Sequence, residues 1–438
     1  MTGGFKRRAR RPWAHRAVAA LALLVTAPLL LTGCSAEDEK PPTFVQTAPS
    51  ASPSVAPVPL SLALSPAVDA KNQPASTEIG TKLTGGQVQS VTLTESGGAK
   101  VAGKMRADGS SWVPDKPLKY GKKYAATVVA AAPDGQTVTQ QTSFTTMGKP
   151  GKRGGSGLYL FADREYGVAM PVVVEFTKPI ADSARAAVEK RLFVTTDPPQ
   201  PGVWHWTGPQ QVMYRAPEYW QPGTKIKVRV AFEGVPLGGG RYGDQDRFGE
   251  GNISKDKVEL FVDNANKQMR VMKNGTLLKT LPVSLGKPST PSSSGTMVIM
   301  DKLVKTVFDT TGQPGVDHYR VDIEYAQRLT WNGEYIHAAP WSVANQGKRN
   351  VSHGCVNVSM ANAKYLFNLT HIGDPVTVKG TERQLKSGNG FTAWDLTWDE
   401  YVKGSALPVP ADVATAGGGA SPSPEPSASP APAASPTA

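Results

Sequence analysis

From Val58 onward the apolar residues of this chain recur mostly at every second position, in short runs broken by Gly, Asp and Pro. Leu60-Ser61-Leu62-Ala63-Leu64 and Tyr124-Ala125-Ala126-Thr127-Val128-Val129 are two such runs, separated by Asp-Gly and Gly-Gly pairs. Successive side chains of a strand point to opposite faces, so this pattern predicts half-buried strands, and many of them at close spacing predict a β-sandwich. Residues 58–148 make one such unit and residues 149–250 a second, with Val172-Val173-Val174-Glu175-Phe176 and Ile226-Lys227-Val228-Arg229-Val230 among its strands. An internal echo relates the two. Leu118-Lys119-Tyr120-Gly121 precedes the Tyr124 run as Trp220-Gln221-Pro222-Gly223 precedes the Ile226 run, which places a glycine turn at the same offset from each strand. His205, in Trp204-His205-Trp206, is expected to pack among aromatics rather than to bind a ligand.

A third unit, residues 251–380, continues the pattern with Val258-Glu259-Leu260-Phe261-Val262, Gln268-Met269-Arg270-Val271-Met272 and Thr280-Leu281-Pro282-Val283-Ser284. Asn274-Gly275 marks a tight hairpin. The looser stretch Phe308 to Gly315 has the composition of a mobile lid, and Met360 to Leu369 reads as a short helix capped by Ser359. After Gly380, Phe391, Trp394, Leu396, Trp398 and Tyr401 form an aromatic cluster in residues 381–410, read as an extension packing back on the third unit; a carbohydrate-binding stripe is the alternative. The expected fold is therefore mainly β: two sandwiches, then a β-rich domain with a short helix.

The ends of the chain set the compartment. Lys6, Arg7, Arg8, Arg10, Arg11 and Arg16 precede an uncharged apolar run from Ala17 to Leu31, so residues 1–33 read as a signal peptide, too short and one-sided for a membrane span. Leu31-Thr32-Gly33-Cys34 resembles the lipobox of bacterial lipoproteins, which would make Cys34 the lipidated first residue of the mature chain. Residues 34–57 read as a Pro/Ser/Ala-rich tether, and residues 411–438, almost wholly Ala, Gly, Ser, Pro and Thr, as a disordered tail. Of the net charge of +12, six positive charges sit in the signal, so the mature chain carries +6. That mild, dispersed surplus suits anionic lipid heads and wall polymers and gives no reason to expect nucleic acid.

The chain has two cysteines, and the lipobox claims one, so no internal disulfide can form. Cys355 is then a lone thiol in an exported protein, either an inert buried residue or a reactive one. It stands in Val351-Ser352-His353-Gly354-Cys355-Val356-Asn357, and His337 lies 18 positions upstream in Tyr335-Ile336-His337-Ala338-Ala339-Pro340-Trp341. An imidazole within reach can take the thiol proton, and Gly354 permits a turn that exposes the sulfur and turns backbone N–H groups toward a developing oxyanion. His318, His337, His353 and Cys355 are zinc-type ligands, but their spacing fits no closed pattern.

Signal, domain order and both motifs resemble the L,D-transpeptidases of the YkuD family, specifically the actinobacterial lipoprotein type with two immunoglobulin-like domains before the catalytic one. The resemblance covers essentially the whole mature chain. It implies that Cys355 is the nucleophile and His337 its base, oriented by the backbone carbonyl of Ala338. Gly354, His353 and Tyr319 would form the oxyanion side and pocket, and Tyr319, Asn332, Gly333, Asn357 and Trp341 would bind substrate. The implied partners are peptidoglycan stem peptides, a tetrapeptide donor and an acceptor stem, with the membrane engaged through the anchor at Cys34 on the extracytoplasmic face. The implied reaction releases D-alanine, passes through a Cys thioester and forms 3→3 cross-links in cell-wall biogenesis, with carbapenems as inhibitors and no metal or organic cofactor. An L,D-carboxypeptidase using the same acyl-enzyme, or a non-catalytic wall-binding lipoprotein, are the alternatives.

Overall fold

The computed structural model describes residues 58–312 and 318–417; the expected signal peptide, Cys34, the tether, part of the expected lid and the expected tail from residue 418 on fall outside these residues. In the first sandwich the sheet Ser61–Ser65, Ile79–Thr84, Ser111–Pro114, Gly103–Met105 faces the sheet Ala70–Gln73, Thr137–Thr146, Lys123–Ala131, Gln87–Glu95, Lys100–Val101. The alternation seen in sequence decides which side chains point in: Tyr124, Ala126, Val128 and Ala130 are buried, and they meet Leu62, Ile79, Trp112 and Phe144.

The second sandwich pairs Ser156–Leu158, Val172–Phe176, Gln211–Arg215, Val203–Gly208 against Glu165–Tyr166, Arg247–Ile253, Lys225–Val230, Leu192–Asp197. Its last strand pairs with Lys225–Val230 through Asn252, so this domain runs past the boundary expected at residue 250. The echo is structural. Gly121 and Gly223 have φ of 67° and 83°, a region open to glycine at little cost. Their N–H groups donate to Met147 and Ser254 at 2.9 and 3.0 Å, in each case just beyond the last strand of the domain.

The third domain holds two sheets. Thr276–Pro282, Gln268–Lys273, Val258–Asp263, Pro375–Lys379, Ser293–Val298 and Arg383–Gln384 form one, and Asp301–Asp309, Arg320–Arg328, Tyr335–Ala338 and Val356–Val358 the other. Asn274 and Gly275, at φ of 51° and 79°, make the expected two-residue hairpin between Lys273 and Thr276. The helix Met360–Leu369 begins where Ser359 accepts from the Asn362 N–H, and Ala363 and Leu366 seat it on the core.

Three expectations are corrected here. Phe308 and Asp309 belong to a regular strand paired with Val321 and Arg320, so the looser segment starts only after them. The C-terminal extension packs on both neighbours: Arg383–Gln384 and Leu385 join the third domain as expected, but Trp394, Trp398 and Tyr401 join the core of the second sandwich, and the Tyr401 hydroxyl donates to Met213 O at 2.7 Å. There the buried Arg215 guanidinium lies 4.4 Å from the Trp394 ring and 4.3 Å from that of Tyr401, and it donates to the carbonyls of Ala393 and Leu396. His205 stacks on Tyr401 at 4.7 Å. With these rings buried, no sugar can stack on them, and truncating such a ring costs roughly 3–5 kcal/mol. Finally, Ala411–Thr415 is a short helix rather than disordered tail, because Val413 joins the same cluster and the Trp398 indole donates to its carbonyl at 3.1 Å.

Candidate active site

Cys355 stands between a turn and the strand Val356–Val358, which runs parallel to Tyr335–Ala338 with His337 opposite Asn357. This pairing is what closes the separation in sequence between thiol and imidazole. The turn itself is held by hydroxyls. Ser352 Oγ donates to Cys355 O at 2.6 Å and accepts the Gly354 N–H at 3.2 Å, while Ser292 Oγ donates to Gly354 O at 2.7 Å. Gly354 sits at φ 123°, closed to most L residues. Neither serine was assigned a role from sequence.

A cavity of about 400 Å³ opens over the sulfur. Cys355, His337, His353, Tyr319, Asn357 and Trp341 all wall it, together with Phe308 and Ser352. The thiol lies 3.7 Å from Gly333 O, so Gly333 reaches the nucleophile through its carbonyl. Asn332 does not join the cavity wall: it occupies the Thr330–Gly333 turn, where its N–H donates to Asn389 Oδ1 at 3.1 Å, and the strand direction carries Gly333 rather than Asn332 to the sulfur. His318 is exposed, with Nδ1 at 3.1 Å from Thr310 O, and stands apart from the cavity.

The imidazole of His337 is 4% exposed, and its Nδ1 lies 2.8 Å from Ala338 O. A carbonyl only accepts, so Nδ1 carries the proton and Nε2 keeps the lone pair. The ring is held by Phe308, edge-on at 5.4 Å, and by Trp341 at 6.1 Å, with Tyr335 packed on Phe308 at 4.7 Å. Burial pushes the imidazole down to about 4, against the pull of the Ala338 carbonyl. Burial likewise pushes the Cys355 thiol up to about 12, opposed by a hydrogen bond from the Tyr335 backbone and reinforced by the charge of Glu334. The resting pair is thus a neutral thiol and a neutral imidazole.

The rest of the wall is polar on one side. The Tyr319 ring lies 5.0 Å from that of His353, whose Nε2 is 3.2 Å from Lys287 Nζ. Burial, and then the neighbouring thiol, hold the Tyr319 phenol in its protonated, donating form by raising its pKa. Asn357 is 3% exposed; its Nδ2 donates to Ser342 Oγ at 3.3 Å, and its buried Oδ1 has no partner among the described residues. No cluster of three or more His, Cys, Asp or Glu able to hold a metal occurs among the described residues.

A lone thiol, an imidazole with a free lone pair and donors in one small cavity of a β-rich domain are the parts of a thiol-dependent acyl-transfer site. Comparison with known proteins gives the family. The L,D-transpeptidase catalytic domain family matches residues 257–378, and the bacterial Ig domain family matches residues 70–236, spanning parts of both sandwiches. L,D-transpeptidase 2 of Mycobacterium tuberculosis is 33% identical over 331 residues, covering 73% of this chain and 79% of that protein. L,D-transpeptidase 5 of the same species is 32% identical over 403 residues, covering 90% and 86%. A crystal structure of L,D-transpeptidase 1 from Mycobacterium tuberculosis, 33% identical, aligns over 51% of this chain and 97% of that one with a TM-score of 0.39. The chain belongs to the L,D-transpeptidases, with a YkuD catalytic domain behind its Ig-like region.

Proposed function

We propose that the protein forms 3→3 cross-links between peptidoglycan stem peptides through a thioester on Cys355. The observation that carries this reading is that Cys355 and His337 wall one cavity while Ala338 O fixes the imidazole with its Nε2 lone pair unprotonated. Cys355 Sγ attacks the carbonyl carbon of the third residue of a tetrapeptide donor, and the C–N bond to the terminal D-alanine breaks. His337 Nε2 takes the thiol proton and passes it to the departing amine, so D-alanine leaves neutral at nitrogen. A side-chain amine of an acceptor stem then attacks the thioester, gives a proton to Nε2, and the thiol is restored as the C–S bond breaks. Because both groups rest neutral, the proton moves with the attack rather than before it. Tyr319, its phenol held protonated in the cavity wall, is a donor available to the developing oxyanion, whereas the Gly354 N–H is already given to Ser352 Oγ.

The cavity stays open to solvent through Trp341, itself 56% exposed, which leaves room for an acceptor amine or for water. Water in the second step gives the carboxypeptidase reaction from the same acyl-enzyme. The test is intact-protein and product mass spectrometry after incubation with a tetrapeptide stem and an amine acceptor. Expected are a Cys355 acyl adduct, loss of D-alanine and a cross-linked product, all absent in Cys355→Ala. Adduct formation that persists in that variant sinks the proposal, and hydrolysed tripeptide without cross-link turns it toward the carboxypeptidase. We further propose that the mature chain works at the outer face of the cell membrane, anchored at Cys34, as the basic leader and lipobox suggest.

A further inference from the structure

Beside Gly354, the residue before the nucleophile, lies a charged pair that the reaction scheme leaves unused. Glu334, between Gly333 and Tyr335, is buried, and its carboxylate accepts from Ser293 N at 3.0 Å, Ser293 Oγ at 2.8 Å and Arg383 Nη2 at 2.6 Å. Arg383 comes from the C-terminal side of the catalytic domain. Its two-residue strand, Arg383–Gln384, runs parallel to Ser293 and Ser294 on the sheet edge and so sets the guanidinium beside Glu334. A Cβ built on Gly354 would lie 3.7 Å from both Arg383 Nη2 and Glu334 Cγ, so the guanidinium borders the residue before the nucleophile.

Two features distinguish this arginine from a plain counter-ion. Its side chain is 43% exposed whereas that of Glu334 is 8% exposed. Nη2 is the nitrogen bonded to Glu334, and no protein partner of Nε or Nη1 occurs among the described residues, so a half-exposed guanidinium keeps donors to spare. A guanidinium anchored on one nitrogen keeps the geometry that receives a planar carboxylate. The serine donors already serve the Glu334 oxygens, so neutralising that carboxylate does not need the whole fork.

We propose that Arg383 is a carboxylate-binding residue of the substrate site, taking the free carboxylate of the residue that leaves the donor stem. This rests on the donor chemistry given under Proposed function, where that carboxylate is two bonds from the scissile nitrogen. The substrate then lies across the sulfur, with its acyl side in the cavity walled by Tyr319 and His353 and its leaving side over Gly354 and Arg383. Arg383 acts as a specificity residue, and Glu334 as the group that positions it.

The experiment compares acylation of the full mature protein by two tetrapeptide donors, one ending in D-alanine and the other in D-alanine carboxamide, read as the rate of acyl-enzyme formation by intact mass. The wild type is expected to favour the free carboxylate by roughly tenfold or more, the scale of a charge-assisted pair at a half-exposed site. Arg383→Ala should lose that preference by slowing on the carboxylate donor alone, and Arg383→Lys should keep part of it. Because Arg383→Ala leaves a buried carboxylate without its cation, the double variant Arg383→Ala, Glu334→Gln is measured beside it and should show the same lost preference. If Arg383→Ala slows both donors equally, or keeps the wild-type preference, the carboxylate site is refuted while the transpeptidase reading stands. If the wild type forms no acyl-enzyme with either donor, the functional reading fails and takes the site with it.

Discussion

Replacing His337 with alanine separates the base from the nucleophile, and the structure supplies the size and the pH dependence of the effect. With the thiol pushed up to about 12, near pH 8 only about one molecule in 10⁴ holds a thiolate without help. The imidazole removes that obstacle by accepting the proton during attack, so its loss should slow acylation by roughly 10²–10⁴, the range for a missing general base. The variant must then wait for hydroxide, and its rate should climb about tenfold per pH unit between roughly pH 7 and 10. The wild type should be nearly flat over the same range, because its imidazole, held down to about 4, and its thiol both stay neutral there. Stopped-flow absorbance of carbapenem ring opening, checked by adduct mass, measures both curves. Two results would refute the reasoning: a wild-type inflection between about pH 6 and 9, or a His337→Ala profile with no alkaline climb. An alkaline climb confined to His353→Ala would move the role of base to that residue.

Two further outcomes follow from other parts of the chain. Cys34→Ala should release the protein from membranes into the aqueous phase and abolish any lipid mass on the mature chain; a variant that stays as firmly membrane-bound as the wild type sinks the anchor. Asp374 is wholly buried, and burial raises its carboxyl to about 7, so its charged form is disfavoured in the fold and stability is lost as pH rises from the unfolded carboxylate range toward 7, by up to roughly 1.4 kcal/mol per unit. Asp374→Asn should therefore gain in melting temperature relative to wild type between about pH 4 and pH 8, and a difference that does not change with pH contradicts the assignment.

Local rules made much of the architecture readable in advance. The alternation around Tyr124, the Asn274-Gly275 hairpin, the Ser359 cap and the paired glycine turns each follow from chemistry confined to a few residues, and each appears in the structure. What escaped is decided over long separations. The aromatic run after Phe391 announces that it must be buried but not against what, and Arg215, far upstream, supplies the receptor through cation–π contacts and carbonyl hydrogen bonds. Phe308 was assigned to a lid because Gly and Pro follow it, yet its ring is spent on steadying His337. Arg383 carries no motif at all; its place beside the nucleophile comes from an edge strand whose pairing partner, Ser293, lies far back in the chain.

These misses share a cause that bears on how the site is held. The nucleophile turn is short and irregular, and its backbone is fixed by side chains from elsewhere: Ser352, Ser292 and, behind Glu334, Ser293. Ser292 immediately precedes the strand Ser293–Val298, and along that strand the Thr296 N–H donates to Asp395 of the C-terminal segment at 2.8 Å. The same segment is locked into the second sandwich by Arg215, Trp398 and Tyr401. A continuous series of packed groups therefore links the second sandwich to the strand that supports the Cys355 turn. A turn that must hold a neutral thiol in reach of its base gains from support on several elements, since rotamers locked by packing keep the reacting geometry within narrow limits.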